Sequence, residues 1–314
     1  MKPPGLLLLG ADGQLGWELR RALLPLGELS ALGRAQADLS DPSGLRELLD
    51  RLRPAVIVNA AAYTAVDRAE SEPELARQVN ADAVALLAEY AARSGAWLVH
   101  YSTDYVFDGS AQRPWREDDA PNPLSVYGRT KLQGEQAIRA SGCAHLILRT
   151  SWVFAARGNN FARTMVRLAQ EREQLRVVAD QFGAPTSAEL VADVSALALH
   201  RLLREPRLAQ DNTGLYHLSS SGSTSWHGYA QHVLRHVAAR GMALRCDEHA
   251  VQPITTAEYP LPAPRPANSR LDCAALQDWL EVRLPAWQPQ LERMLDEAFD
   301  LHAGQARPSA SRPR

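Results

Sequence analysis

The chain has 314 residues, 46% of them hydrophobic and 22% charged, the balance of a globular protein long enough for one large α/β domain or two smaller ones. A formal net charge of −2 excludes a broad electrostatic footprint for nucleic acid or an anionic membrane surface, so any anionic ligand must be met by local positive groups. Cys143, Cys246 and Cys273 are few and far apart, which argues against a disulfide framework or a zinc site and fits a reducing cytosol; the apolar run Leu6 to Leu9 is too short for a signal-peptide core, and no run of ~20 apolar residues occurs.

Strand-like apolar runs alternate with amphipathic stretches. Gly5–Leu9 is the first predicted strand, followed by a glycine-punctuated turn and a helix over 14–24. A short strand spans 29–32. Asp41 as N-cap and Pro42 at the first helical position open a helix that runs to about Leu52. A third strand spans 55–59, one long helix runs from Pro73 to Ser94 and stops at Gly95, and a fourth strand spans 97–102. A helix over 126–141 and a fifth strand over 146–150 complete the regular half. The runs Val56-Ile57-Val58 and Leu146-Ile147-Leu148 do not alternate, as expected of strands covered on both faces. The order predicts an α/β fold with a parallel, doubly wound sheet and right-handed crossovers. Beyond residue 151 the pattern loosens: helices over 160–171, 187–204, after Ser225 and over 291–301, strands over 176–178 and 215–218, a proline-rich loop over 253–266, and a disordered tail from about Ala303.

Gly10-Ala11-Asp12-Gly13-Gln14-Leu15-Gly16 follows the first strand and opens the first helix. Glycines let the backbone approach a pyrophosphate closely, and the helix N-terminus supplies free N–H groups and a partial positive charge. Alone, such a triplet is equally a tight turn with glycines for packing; its place in a β–α–β unit makes it a dinucleotide signal. The end of the second strand chooses between cofactors, an acid binding the ribose 2′-hydroxyl of NAD and an arginine accommodating the 2′-phosphate of NADP. Ala31-Leu32-Gly33-Arg34 carries no acid, which favours NADPH through Arg34 over the reading of a solvated surface arginine. Asp38 and Leu39 are placed to flank the adenine.

Ligands of such sheets bind at the carboxyl ends of the strands. The third strand ends in Asn59-Ala60-Ala61-Ala62-Tyr63-Thr64, whose small residues leave room for a flat cofactor. The fourth ends in Tyr101-Ser102-Thr103-Asp104-Tyr105, which puts hydroxyls beside the expected nicotinamide. Tyr127 and Lys131 share one face of the next helix, so the phenol is expected to converge on the same crevice. That spacing is common on polar helix surfaces. A compositional fact sharpens it: among 34 lysines and arginines only Lys2 and Lys131 are lysine, so position 131 takes a compact ammonium where the chain otherwise writes arginine's planar fork.

Together these residues resemble the extended short-chain dehydrogenase/reductases. The stretches G-Q-L-G-W-E-L, V-N-A-A-A-Y-T-A-V-D, Y-S-T-D-Y-V-F, Y-G-R-T-K, R-T-S-W-V-F, G-N-N-F-A, Q-F-G-A-P-T and R-P-A-N-S-R-L are similar to those of the dTDP-4-dehydrorhamnose reductase family, over roughly residues 5–300. The resemblance implies a Rossmann-type sheet with a smaller mixed α/β substrate-binding region: a core over 1–150 with further elements over about 176–204, and a substrate-binding part over 151–175 and 205–302. It implies hydride transfer from NAD(P)H to the C4 ketone of dTDP-4-dehydro-L-rhamnose, a nucleotide sugar whose product supplies cell-surface polysaccharide. Tyr127 is then the proton donor, Lys131 its helper and holder of the nicotinamide ribose, and Thr103 the third member; Thr103, Asp104 and Trp152 contact the sugar. Gly13, Gln14, Leu15, Asp38, Leu39, Ala62, Tyr63, Thr64 and Tyr101 match cofactor contacts, and Gly10, Gly16, Arg34, Ala61 and Ser102 complete the expected set. Some members carry an acid where this chain has Gly33, which agrees with NADPH ahead of NADH. Some dimerise around Mg2+ held by glutamates, and Glu18, Glu189 and Glu297 fall at the matching places; the alternative is solvated helix glutamates.

A free phenol titrates near ~10. A neighbouring ammonium at Lys131 is expected to lower that value toward working pH, where acid–base catalysis is efficient. Arg265 and Arg270 are candidates for the nucleotide pyrophosphate, with surface arginine as the equal alternative. Three competing readings share the fold. A 4,6-dehydratase typically places an acid directly after Thr-Asp, where this chain has Tyr105; epimerases commonly place small or serine residues there. A non-catalytic NADP-binding subunit, of the kind that partners methionine adenosyltransferase, would not need the complete Thr103, Tyr127 and Lys131 set.

Overall fold

Alternating apolar side chains along a strand face opposite sides of a sheet, so a strand that is apolar throughout demands cover on both sides. That demand shapes the computed structural model, which describes residues 3–204 and 214–301; the tail expected from about residue 303 lies outside them. In chain order the first half runs β1 (Gly5–Leu9), α1 (Gln14–Ala22), β2 (Glu28–Leu32), α2 (Pro42–Leu52), β3 (Val56–Asn59), α3 (Val66–Ala69), α4 (Pro73–Arg77), α5 (Ala83–Ser94), β4 (Trp97–Thr103), α6 (Val126–Ser141) and β5 (His145–Thr150). The second half adds β6 (Val153–Phe154), α7 (Phe161–Glu171), β7 (Leu175–Val178), β8 (Phe182–Gly183), β9 (Thr186–Ser187), α8 (Ala188–Arg204), β10 (Gly214–His217), β11 (Thr224–Ser225), α9 (Trp226–Ala239), β12 (Val251–Ile254), α10 (Ala274–Leu280) and α11 (Trp287–Ala298).

The six-stranded sheet has the order β10-β5-β4-β3-β1-β2 and is parallel throughout. Its order reverses at β1, so the crevice beyond the ends of β1 and β3 is the place for a ligand. On one face Leu6, Leu8, Val58 and Leu148 pack against Leu19 of α1, Val191 and Leu199 of α8, and Leu276 of α10. On the other, Leu7, Leu9, Ile57 and Ile147 meet Leu45 and Leu49 of α2, Leu87 of α5 and Ile138 of α6. Each such fully buried aliphatic side chain contributes about 2 kcal/mol of transfer free energy. The doubly wound architecture read from the sequence is the one observed.

Local signals set the helix limits. The Asp41 carboxylate accepts from the N–H groups of Ser43 and Gly44, both at 3.1 Å, and Pro42 follows it. Ser125 Oγ accepts from Gly128 N–H at 3.1 Å to start α6, and Gly142 at φ +69 ends it. The single helix expected over 73–94 is broken by a π-turn at Gln78–Asp82. Asn80 in that turn accepts from Tyr63 N–H at 2.9 Å and donates to Tyr63 O at 3.1 Å, so the wider turn pins the loop after β3.

A second lobe has its own core, in which Phe154, Val166 of α7, Val177 of β7, Tyr229 and Val233 of α9, and Leu291 of α11 are buried together. The stretch expected to be loop from Pro253 contradicts its reading at its start: β12 pairs in parallel with β7, Pro253 lying opposite Val177. A two-stranded ladder has only edges, where a missing N–H is tolerated. The helix expected over 291–301 begins earlier, at Trp287, and α10 was not anticipated.

Candidate active site

A cleft of about 570 Å³ opens at the carboxyl ends of the sheet and reaches Trp152 and Trp226 of the second lobe. Its size suits a bound organic ligand. The glycine turn forms one wall. Gly10 has φ +79, and a Cβ there would lie 2.6 Å from Ala61 N; a Cβ on Gly16 would lie 1.9 Å from Gly10 O. Gly16 therefore packs the helix onto the strand and, unlike the other predicted cofactor residues, does not line the cleft. Gly10, Gly13, Gln14 and Leu15 do, as do Ala61, Ala62, Tyr63 and Thr64 after β3 and Leu39 after β2.

Beyond β2, Arg34 is largely exposed, with Nε 3.4 Å from Asp38 Oδ2. Asp38 Oδ1 accepts from Ser40 N–H at 2.9 Å and Ser40 Oγ at 2.7 Å. The Ser40 backbone bond, more than Arg34, holds that carboxyl below its usual range. Tyr63 donates its phenol proton to Glu72 at 2.6 Å on the rim.

The end of β4 brings hydroxyls and a carboxyl to the cleft. Tyr101 sends its side chain into the core, where its hydroxyl donates to Ser195 Oγ of α8 at 2.9 Å, so what it offers the cleft side is backbone. Its carbonyl accepts from Lys131 Nζ at 2.7 Å. Ser102 Oγ is buried with no partner among the described residues. Thr103 Oγ1 accepts from Tyr105 N–H at 3.1 Å and donates to Asp104 Oδ1 at 3.0 Å. Asp104 is 2% exposed, and its Oδ2 also has no partner. Burial pushes its carboxyl up to about 7, against the influence of the nearby Ser269 and Thr103 hydroxyls. Two unspent polar atoms in the wall of a cleft are what a polar ligand satisfies.

Tyr127 lies edge-on to Tyr105, ring centroids 5.8 Å apart. Desolvation, then the Asp104 charge, pushes its phenol up to about 12; the nearby Thr103 hydroxyl works the other way. The expectation that Lys131 lowers the phenol is therefore not met. Lys131 is 2% exposed, and its Nζ is taken up by Tyr101 O and, at 3.1 Å, by His100 Nε2. Burial lowers the ammonium to about 8, against the charge of Glu135. The compact amine read from composition sits in an enclosed site, between Tyr101 O and His100 Nε2, that suits it better than arginine's larger planar fork.

Trp152 has φ +48 and stacks on Trp226 with centroids 3.6 Å apart. A Cβ at Gly183 would lie 2.5 Å from the Trp152 ring, so Gly183 makes room for the indole.

A family model described as the RmlD substrate binding domain matches residues 4–299. The chain belongs to this family. It is 51% identical over 298 residues to dTDP-4-dehydrorhamnose reductase of Salmonella typhimurium, covering 94% of this chain and 98% of the relative. It is 50% identical, over the same shares, to the enzyme of that name from Escherichia coli. A crystal structure of dTDP-4-dehydrorhamnose reductase from Bacillus anthracis in complex with NADP is 33% identical and superposes with a TM-score of 0.82, covering 95% of this chain and 100% of that one.

In this RmlD-family chain the glutamates proposed for magnesium do approach one another. Burial, then the charge of Glu189 and, more weakly, Glu297, raises the Glu18 carboxyl. Yet Glu189 is taken by Arg293 at 2.7 Å, Arg21 is paired with Asp193 beside them at 2.7 Å, and no group of three acids, histidines or cysteines among the described residues is arranged to hold a metal ion. Within one chain these residues do not make a magnesium site. The pyrophosphate candidates are also engaged internally: Arg265 pairs with Asp67 at 2.7 Å, and Arg270 donates to Asn268 Oδ1 at 2.8 Å and Gln112 O at 2.7 Å. Neither lines the cleft. Sequence reading missed Asp12, His100 and Trp226. His100 had a usable signal, a histidine inside an apolar strand, which demands a buried partner.

Proposed function

We propose that this RmlD-family chain reduces the C4 ketone of dTDP-4-dehydro-L-rhamnose to dTDP-L-rhamnose with NADPH. The observation that supports the reading is the Tyr127 phenol lining the same cleft as the Thr103 hydroxyl, at the carboxyl end of the sheet where such folds bind their ligands. When bound, the reduced dinucleotide supplies the hydride. The glycine turn, with Gly10 at φ +79 and free backbone at the start of α1, fits its pyrophosphate. Small residues at 60–62 fit a flat ring system.

On this reading Tyr127 gives its proton to the ketone oxygen as charge develops there. Thr103 turns its hydroxyl from Asp104 to the same oxygen and orients it. Lys131, an ammonium below about pH 8 anchored on Tyr101 O, lines the cleft and is offered to the nicotinamide ribose hydroxyls. Asp104 Oδ2 takes a sugar hydroxyl, and the Trp152 face packs on the ring. Tyr105 after Thr103-Asp104 leaves no second acid for elimination of water, which favours simple reduction over a dehydratase.

The sheet, with α8 and β10, is assigned to the cofactor, and the lobe around α7, α9 and α11 to the nucleotide sugar. A reducing cytosol suits three free, buried cysteines. A homodimer is the setting in which Glu18, Glu189 and Glu297 would gain ligands for Mg2+ from a second copy.

The decisive assay follows loss of NADPH absorbance on adding dTDP-4-dehydro-L-rhamnose, with NADH in parallel and with and without chelator. Consumption with formation of the 4-hydroxy sugar is expected. No turnover combined with tight binding to a partner protein would instead mark a non-catalytic NADP-binding subunit.

A further inference from the structure

Gly33 stands where a dinucleotide site of this fold ordinarily carries its ribose acid, at the end of β2. The place is filled all the same. A side chain built at residue 33 would begin 1.8 Å from Asp12 Oδ2, so the carboxylate of the glycine turn already occupies the space that residue 33 leaves empty. Gly33 is buried, whereas Asp12 is exposed and lines the cleft together with Arg34 and Asp38. Of the two carboxylates there, Asp38 is committed, one oxygen to Ser40 and the other to Arg34. Asp12 makes no side-chain hydrogen bond or ion pair among the described residues, and both its oxygens remain to accept.

We propose that Asp12 is the ribose acid of this enzyme, relocated from the strand end to the glycine turn. It accepts from the 2′-hydroxyl of NADH, while Arg34, lining the same cleft, pairs with the 2′-phosphate of NADPH, so the two cofactors share one site through opposite charges. The inference rests on the cleft holding the dinucleotide as proposed above. Its physical content is a difference between ligands. A carboxylate gains a charge-assisted hydrogen bond from a hydroxyl and is repelled by a phosphate, and a guanidinium does the reverse.

The experiment measures dissociation constants of NADH and NADPH by tryptophan-fluorescence quenching, alongside kcat/KM for each with the 4-keto sugar nucleotide, in wild type, Asp12→Asn and Arg34→Gln. Asp12→Asn should weaken NADH about tenfold, the size of one lost charge-assisted hydrogen bond, and tighten NADPH. Arg34→Gln should move the ratio the other way. A ratio in Asp12→Asn within about twofold of wild type, or shifted toward NADH, overturns the inference. Wild type that binds both nucleotides but does not turn over the sugar overturns the proposed reaction alone, and the ratio of dissociation constants still judges Asp12. Wild type that binds neither overturns both.

Discussion

Lys131 Nζ lies 3.1 Å from His100 Nε2, an imidazole with no exposed surface. The polarity of this contact follows from its far end. Ala61 N–H donates to Asn59 Oδ1 at 3.2 Å, which turns Asn59 Nδ2 toward His100 Nδ1, also at 3.2 Å. Nδ1 thus accepts, and Nε2 carries its proton toward the amine. Loss of solvent penalises the ammonium, while Glu135 supports it; an Nε2–H facing Nζ also leaves the amine nothing to donate to on that side. Turnover on the proposed mechanism should fall as pH rises past about 8, where the amine gives up its charge. In His100→Gln the amide oxygen is free to accept from the ammonium, and the falling limb should move to higher pH. A pH–kcat profile unchanged in position, whatever its height, would show that His100 only fills space.

The lysine itself is testable by the residue the chain otherwise prefers. Lys131→Arg forces a larger, forked group into a fully enclosed site, an overpacking that costs about 1 to 3 kcal/mol. We expect a lower denaturant midpoint and at least about a tenfold loss of kcat, the equivalent of ~1.4 kcal/mol. Full activity would reduce the lone lysine to drift.

Tyr127→Phe removes the proposed acid and leaves the ring against Tyr105. Turnover should drop by about 10² or more, with the NADPH dissociation constant retained. Near-normal turnover would remove Tyr127 from the mechanism.

Asp104 carries a stability signature whose sign is fixed. Its folded pKa, about 7, lies above the ordinary 3.8, so between those values the folded chain keeps a proton that the unfolded chain has lost. Its contribution is present below the unfolded value and is lost as pH rises through the folded one. Asp104→Asn has no such slope. The stability of the variant relative to wild type should grow by about 2 to 3 kcal/mol between roughly pH 5 and pH 8. Urea midpoints at the two pH values check this, and parallel pH dependences would refute it.

Gly183→Ala places a methyl 2.5 Å from the Trp152 ring and must displace it from its stack on Trp226. KM for the sugar nucleotide should rise about tenfold, with the NADPH dissociation constant unmoved. A shift in the cofactor constant instead would place Trp152 on the wrong ligand.

The sheet was legible because its strands are apolar on both faces, and α6 was legible to the residue because Ser125 and Gly142 bracket it. What escaped depends on partners distant in sequence. The π-turn exists for the bond between Asn80 and Tyr63, and β12 runs through Pro253 because β7 leaves it at an edge. The set of residues around the cleft was readable as chemistry at strand ends, but the direction of the Tyr127 shift was not. A neighbouring lysine predicts a lowered phenol only when its charge points at the oxygen, and here Nζ is engaged by His100 and Tyr101 O.

The path of the backbone has a consequence for dissection. After β5 the chain enters the second lobe at β6, α7 and β7, returns to the sheet with α8 and β10, leaves again for α9 and β12, comes back as α10, and finishes away from the sheet as α11. Neither half is a contiguous stretch, so no single cut releases a piece that retains its own interior. The two lobes should melt as one cooperative unit, and limited proteolysis should yield either the intact chain or peptides, with no stable half-sized fragment between.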